Sequence, residues 1–333
     1  MDDIITLDYG SGGIKTSDFI DNLLVPAFDN TPLNKLADGA VLDGAERLVF
    51  STDSFVVSPW KFPGGNIGRL CVCGTVNDIA MAGGIPKYLS LSFILEEGFK
   101  MWDLKEIIAS IADEAKKAQV MIVTGDTKVV EHGKGDGIYI NTSGIGILKN
   151  PRLGKEYIRP GDGVIVSGSV GCHGASVMMA RSGLLDGDGP LRSDCRILTD
   201  LAVAAQDAGN VRILRDPTRG GIATVLNEFV EDSPLTVELN ETAIPVDATV
   251  ASACDLLGLD PLYCACEGRM LAVVAPEDVP SVLDALHRLS GGEKAACIGT
   301  ITQKRPGQVI LNTSLGGRRL LGKLSGHQLP RIC

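Results

Sequence analysis

Asn77-Asp78-Ile79-Ala80-Met81-Ala82-Gly83-Gly84-Ile85-Pro86 is the stretch from which the fold is read. It closes a small-residue helix expected over 68–83 that is apolar almost all round, and such a helix is buried. Yet it carries Asn77-Asp78. A buried carboxylate needs a cation or hydrogen-bond donors, so Asp78 is either a capped structural acid or a metal ligand. Beyond Pro86, Tyr88 to Leu95 alternates apolar and polar residues, the period of a half-buried strand.

Toward the N-terminus, Phe62-Pro63-Gly64-Gly65-Asn66-Ile67-Gly68 is a turn-rich loop feeding the helix. Leu48 to Thr52 has the β-branched and aromatic content of a strand, and it ends at Asp53, a carboxylate suited to a pocket rim. Residues 17–28 read as a helix capped by Ser17. Before it, Gly10-Ser11-Gly12-Gly13 follows a short apolar stretch. Glycine clusters let backbone N–H groups converge on an anion, but this one is neither GxGxxG nor a Walker loop and reads equally as a flexible turn.

Toward the C-terminus, Glu96-Glu97-Gly98 closes the strand, and Asp103-Leu104-Lys105-Glu106 resembles a capping box opening a helix through Gln119. Val120 to Thr124 is a strand that delivers Gly125-Asp126-Thr127-Lys128. There a glycine permits close approach, an acid can hold Mg²⁺ and a lysine can meet phosphate. Ile138 to Ile147 alternates again. Asp53, Asp78 and Asp126, one lysine and several glycine loops together suggest a nucleotide–magnesium site. The order of elements is not a repeated βαβ, which excludes a Rossmann or P-loop expectation.

Residues 150–163, rich in proline and glycine, mark a domain joint. Then come a strand (Val164 to Ser167), a helix that His173 precedes and that runs through Arg181, and a helix from Asp194 to Asp207. His173 is a helix-start hydrogen bonder or a phosphate contact. Arg215-Asp216-Pro217-Thr218-Arg219-Gly220-Gly221 opens another helix with Pro217 in its first turn. Arg219 beside glycines is an anion site or part of a capped helix start. Glu267, in Tyr263-Cys264-Ala265-Cys266-Glu267-Gly268-Arg269, precedes the strand Met270 to Val274 and is either a solvated turn residue or a site acid. Residues 278–289 read as an amphipathic helix, and 303–323 are basic and glycine-rich. The sequence ends Gly326-His327-Gln328-Leu329-Pro330-Arg331-Ile332-Cys333. Gly326 loosens this arm and Pro330 keeps it from continuing as a helix. Eight extended residues reach at most ~26 Å. It is a frayed terminus or a thiol carried on an arm.

With 333 residues, 44% hydrophobic, the soft prior is two well-cored domains. A net charge of −10 argues against nucleic acid as the main partner. Nine cysteines form no CxxC pair and two CxC pairs, Cys71/Cys73 and Cys264/Cys266. In a strand CxC puts both thiols on one face, so a metal site is conceivable beside the plainer reading of buried thiols. The start, Met1-Asp2-Asp3, lacks an apolar signal core, and no apolar run approaches ~18 residues. A reducing cytoplasm and no membrane are expected.

Asp78 to Pro86 resembles the Asp-x4-Gly-Ala-x-Pro signature of the PurM-like ATP-binding superfamily, with Gly84 in place of the usual alanine. More narrowly, the chain resembles the HypE family of hydrogenase maturation proteins. The resemblance rests on Ser51-Thr52-Asp53-Ser54 with Phe62 to Gly68, on Glu96-Glu97-Gly98, on Gly125-Asp126-Thr127-Lys128-Val129-Val130, and on Pro330-Arg331-Ile332-Cys333. It runs from Gly10 to Cys333, and the last motif is its most specific part. Cys172 departs from it, standing where an acidic residue is expected.

The resemblance implies an α+β fold of two PurM-like domains: 1–155, binding ATP, and 156–325, an α/β layer, with 326–333 as a mobile tail. The N-terminal domains of a homodimer would join their strands into a barrel. It implies an ATP-dependent dehydratase that turns an S-carboxamide on Cys333 into a thiocyanate, the cyanide source for [NiFe]-hydrogenase iron. Cys333, Glu267 and Lys128 would be catalytic. Gly10, Ser11, Gly12, Gly13, Asn66, Thr127, Lys128 and Arg219 would meet ATP, and Asp53, Asp78 and Asp126 would hold Mg²⁺. The implied partners are the carbamoyltransferase HypF and a HypC–HypD iron scaffold. Two other functions stay open: a PurM-like ligase or kinase acting on a free small molecule, and a non-enzymatic thiol or metal scaffold.

Overall fold

In the computed structural model, which describes residues 3–185, 189–324 and 331–333, the small-residue helix runs from Ile67 to Met81 (α1). Asn66 starts it by accepting the Arg69 N–H at 3.0 Å. Around it lies a four-stranded sheet of β1 (Leu48–Phe55), β2 (Gly84–Glu96), β3 (Met121–Val130) and β4 (Ile138–Leu148), ordered β1-β4-β2-β3. Only β2 and β3 pair in parallel, and α2 (Met101–Lys117) makes the crossover between them. Glycine explains how closely α1 lies on the sheet. A Cβ on Gly144 or Gly146 of β4 would come within 2.7 Å and 2.3 Å of the Ile79 side chain.

Among the described residues the other face of this sheet is largely open, with Leu48, Phe50, Ile94, Met121 and Ile147 exposed on it. Among the described residues the strands form an open sheet, so the expected barrel is not closed within one chain. A helical run from Ile14 to Phe28, broken by a π turn over Ile20–Leu24, lies beside β3 and encloses a cleft against it.

The second half builds a seven-stranded mixed sheet. Its strands are β5 (Gly163–Val166), β6 (Val211–Arg215), β7 (Thr236–Asn240), β8 (Leu271–Val274), β9 (Ala296–Thr302), β10 (Gln308–Asn312) and β11 (Arg318–Leu321). They are ordered β11-β10-β7-β9-β5-β8-β6. α3 (Cys172–Arg181), α4 (Thr199–Ala208), α5 (Gly221–Val230), α6 (Ala248–Leu257) and α7 (Val279–His287) cover it. Both mixed sheets with their helices fit the expected α+β class. No helix among the described residues is long and apolar enough to cross a membrane.

Several boundaries differ from the sequence reading. Asp53 and Gly125-Asp126-Thr127-Lys128 lie inside strands, not at strand ends. Asp103 is in the first turn of α2, which begins at Met101 without a side-chain cap, so no capping box forms. The helix expected from Asp194 begins only at Thr199. The backbone N–H of Leu198 is taken by Asn77 Oδ1 at 2.8 Å and that of Arg196 by the Glu267 carbonyl, which ties this segment to other elements. α5 begins at Gly221, so Pro217 precedes the helix. Cys71 and Cys73 sit on α1, not on a strand, and so do not share a face.

Candidate active site

Asp53 on β1, Asp78 in the last turn of α1, Asp216 just after β6, Arg219, Glu267 before β8, and Cys333 line one cleft of about 300 Å³. The two halves of the chain meet here. Asp78 accepts a hydrogen bond from Ser51 Oγ at 2.7 Å. Asp53 shares a hydrogen bond with Asp78, and burial followed by that neighbour's charge pushes it up to about 6. Burial, with Asp78 and Asp53 nearby, pushes Asp216 up to about 7. Glu267 is 2% exposed. Burial and then Asp216 and Asp194 push it well above the usual carboxylate range. Among the described residues its Oε1 has no hydrogen-bond partner. Burial, then the Glu267 charge, pushes the Cys333 thiol up to about 12. Asp53, Asp216, Glu267 and Cys333 are each raised by desolvation and by like charge, so the cleft as built calls for positive charge.

The tail enters this cleft laid along residues 56–58, with Arg331 in the left-handed region at φ 49°. Val56 N–H donates to the Cys333 carbonyl at 3.0 Å and Ser58 N–H to the Arg331 carbonyl at 3.3 Å. Arg331 Nε donates to the Val56 carbonyl at 2.9 Å, and its guanidinium also meets Asp136. Arg181 Nη2 reaches the Arg331 carbonyl at 2.7 Å, and the ring of His173 reaches the Ile332 carbonyl at 2.8 Å. Ile332 is buried in the main core of the N-terminal half. Residues 326–330 of the expected arm lie outside the described residues.

A second constellation sits on β3. Lys128 Nζ pairs with Asp126 Oδ1 at 2.6 Å, both side chains more than half exposed. They line a cleft of about 440 Å³ with Thr127, Gly10 and Gly12. Strand register separates this cluster from the first. Asp53 stands opposite Thr142, Thr142 opposite Leu91, and Leu91 opposite Gly125. Three strand spacings of ~4.8 Å put Asp126 ~14 Å from Asp53 along the sheet. Alternation also turns Asp126 to the opposite face, since its row is Ser92, Asn141 and Ser54. The expected trio of Asp53, Asp78 and Asp126 therefore cannot hold one ion within a chain. Lys128 does not line the cleft that holds Cys333.

Asp216 takes the third acidic place instead, and the sequence reading missed it. It stands at a strand end before glycines, the same signal that drew attention to Asp53. Asn66 caps α1 and donates to Ser110 Oγ at 2.8 Å, lining a separate cavity with Arg69 and Glu114. Ser11 Oγ turns back onto the Asp8 carbonyl, the Gly12 N–H is taken by Thr16, and Gly13 precedes the first helix. Cys172 is buried, its thiol against the Ser169 carbonyl, and the same burial applies to Cys264 and Cys266.

Among the described residues no three His, Cys, Asp or Glu side chains converge as a metal cage. The hydrogen-bonded Asp53–Asp78 pair, with Asp216 beside it, fits Mg²⁺ only in its usual mode of one or two carboxylates completed by phosphate oxygens and water.

Comparison with known proteins gives the same picture over the whole chain. Residues 36–148 match the N-terminal domain of AIR synthase related proteins and 159–312 match the C-terminal domain. The chain is 47% identical over 333 residues to a carbamoyl dehydratase HypE of Rhizobium leguminosarum bv. viciae, covering 99% of this chain and 95% of the relative. A solved hydrogenase maturation protein HypE in complex with ATP superposes with a TM-score of 0.94 at 45% identity, over 98% of this chain and 99% of that one. A chain of a solved HypE–HypF complex superposes at 0.79 with 42% identity, over 92% and 99%.

Proposed function

The chain belongs to the HypE family of hydrogenase maturation proteins, and from that premise we propose that it is a carbamoyl dehydratase working on its own Cys333. It converts an S-carboxamide on that residue to a thiocyanate, which supplies the cyanide ligand for the iron of [NiFe]-hydrogenase. The observation that carries the reading is the seat of the tail, which brings the Cys333 thiol into one cleft with Glu267 and Arg219.

The carboxamide carbon must lose its oxygen and its nitrogen must lose two protons. ATP supplies the phosphoryl group that carries the oxygen away as phosphate. Arg219 faces the oxygen on which negative charge builds. Glu267, once deprotonated, accepts a nitrogen proton. Burial leaves Glu267 a strong base when ionised, and positive charge from a bound divalent ion favours that ionised form. Asp53, Asp78 and Asp216 would hold such an ion together with phosphate oxygens, and it supplies charge neutralisation. The raised thiol means that free Cys333 inside the cleft is neutral. Loading by an external carbamoyl donor therefore requires the tail to be outside the cleft.

Lys128 and Asp126 serve the site from a second copy of the chain. The uncovered sheet face with Phe50, Ile94 and Ile147 supports a homodimer, whose strands would close the barrel and bring the β3 cluster of one chain to the acidic cleft of the other. We assign HypF as the carbamoyl donor and HypC–HypD as the iron scaffold, in the cytoplasm. The division of the chain near residue 155 and the reach of the tail from 326 belong to the same reading.

The test is intact mass of the protein after incubation with a carbamoylating partner and Mg-ATP, with Cys333→Ala as control. A carbamoyl adduct that loses one water on ATP addition, and only when Cys333 is present, is the expected result. ATP hydrolysis that needs only a free small substrate and ignores Cys333 would overturn it.

A further inference from the structure

The tail is gripped by its main chain, and the grip is centred on a buried histidine outside the chemistry just described. His173, at the start of α3, is fully buried. One ring nitrogen, Nε2, lies 2.8 Å from the Ile332 carbonyl, and the other, Nδ1, lies 2.8 Å from Ser193 Oγ. A carbonyl only accepts, so Nε2 carries the hydrogen. Burial lowers the affinity of the ring for a second proton, which leaves Nδ1 bare and makes the Ser193 hydroxyl its donor. Ser193 Oγ in turn accepts the Cys195 N–H at 3.1 Å. The chain of donors therefore runs Cys195 N–H, Ser193 O–H, His173 N–H, Ile332 carbonyl, and each link fixes the next. Phe62 stands edge-on to the ring at 5.2 Å, and Ser193 N–H is held by the Pro63 carbonyl at 2.8 Å. The Phe62–Pro63 turn, part of the loop that leads into α1, braces this clasp.

We infer that His173, oriented by Ser193, is the positioning residue that holds the tail in the cleft and so sets how often Cys333 is presented to Glu267. Of the tail's other polar contacts, the Arg331–Asp136 pair is exposed, while the buried Ile332 side chain adds an apolar contact that does not depend on His173. The His173 bond is the one made in a dry site, where a lost partner costs most. Every hydrogen-bonding atom of the described tail is a main-chain atom or belongs to the Arg331 side chain, and none is Cys333 Sγ. Hence the free, carbamoylated and cyanated tails are all held by the same contacts, and the clasp does not sense the state of the sulfur.

This rests on the reading of Cys333 as the carrier, but tail occupancy can be measured without carbamoylation or ATP, so either can fail alone. Iodoacetamide labelling of the full-length protein, followed by mass analysis of the C-terminal peptide, reports how often Cys333 leaves the cleft. His173→Leu should speed labelling of Cys333 about tenfold, the effect of one lost buried hydrogen bond. Cys297, the other partly exposed cysteine, should label at an unchanged rate. His173→Gln, which keeps an N–H donor at similar reach, should stay within about threefold of the parent. Ser193→Ala, a milder change if the leucine variant folds poorly, should give about threefold. In single-turnover dehydration of pre-carbamoylated protein, the rate should fall only as the seated fraction of the tail falls, so that for His173→Leu the loss in rate multiplied by the gain in labelling is about tenfold, with the KM for ATP unchanged. Parental labelling in both His173→Leu and Ser193→Ala would overturn the inference. So would Cys297 rising in parallel, or glutamine behaving as leucine does.

Discussion

Two acidic clusters occupy opposite faces and opposite edges of the same four-stranded sheet, and they are built on different terms. Asp53, Asp78, Asp216 and Glu267 are packed where the two halves of the chain meet, and three of them are held above the ordinary carboxylate range by burial and by one another. Asp126 on β3 is already neutralised by Lys128, in water. The first cluster carries unfavourable free energy that a cation, if bound as proposed, would relieve. The second is satisfied, contributes little to stability as an exposed pair, and is open to a partner. A site that demands charge and, on the far face, a surface that offers a lysine are what the proposed dimer would bring together.

The largest effect falls on the closed cluster. Glu267→Gln keeps the volume and removes the base, so dehydration should slow about 10²- to 10⁴-fold while carbamoylated protein accumulates. Quantifying adduct and product by intact mass decides it, and near-parental turnover would remove Glu267 from the mechanism. The open cluster should behave differently. Lys128→Ala should lower turnover to a similar degree yet leave thermal stability within ~0.5 kcal/mol, because the side chain is exposed. Mixing Lys128→Ala with Glu267→Gln chains should then restore about a quarter of the parental rate. Half of the random dimers are mixed, and each mixed dimer has one intact site. No recovery on mixing would mean that the two clusters do not meet across chains.

A smaller effect separates the clusters by pH. Asp216 is protonated in the folded chain up to about 7, against an ordinary value of 3.8 in the unfolded chain. The folded state therefore binds more protons over that window. Its contribution is complete below the unfolded value and is lost as pH rises through the folded one. Asp216→Asn should flatten this decline and gain about 2 kcal/mol near pH 8 without divalent ions. Asp126→Asn should not. Melting curves across pH 4 to 8, with and without Mg²⁺, report both, and equal slopes in the two variants would break the contrast.

Much of the fold was legible because the period of apolar residues is local information. The buried helix around Asp78, the alternating strands that flank it and the amphipathic α2 follow from spacing alone. Strand register is not local. That Asp53 and Asp126 stand three strands apart, on opposite faces, depends on Thr142 and Leu91 lying between them, and nothing near either aspartate encodes it. Long-range bonds likewise decided the segment before Thr199, where Asn77 captures a backbone N–H that a helix would have used. Asp216 carried the same signal as Asp53 and was passed over in favour of its neighbour Arg219. Glu267 is unremarkable as a loop acid, and only packing makes it a buried, unpartnered carboxylate.

The smallest expected effect sharpens the comparison by removing a residue from it. The family resemblance groups Asn66 with the nucleotide site, but both ends of its side chain are engaged elsewhere. Oδ1 accepts the Arg69 N–H at 3.0 Å as the cap of α1, and Nδ2 donates to Ser110 Oγ at 2.8 Å. It lines neither acidic cleft. Asn66→Ala should therefore cost ~1 kcal/mol of stability, the usual value of a lost cap, through the helix that carries Asp78 ~18 Å further on, at ~1.5 Å per residue. The KM for ATP should stay within twofold. Asn66→Asp, which keeps the acceptor and adds charge favourable to a helix start, should recover most of the stability. A KM that rises with stability unchanged would return Asn66 to the nucleotide and make the α1 start, not the β3 edge, the second half of the site.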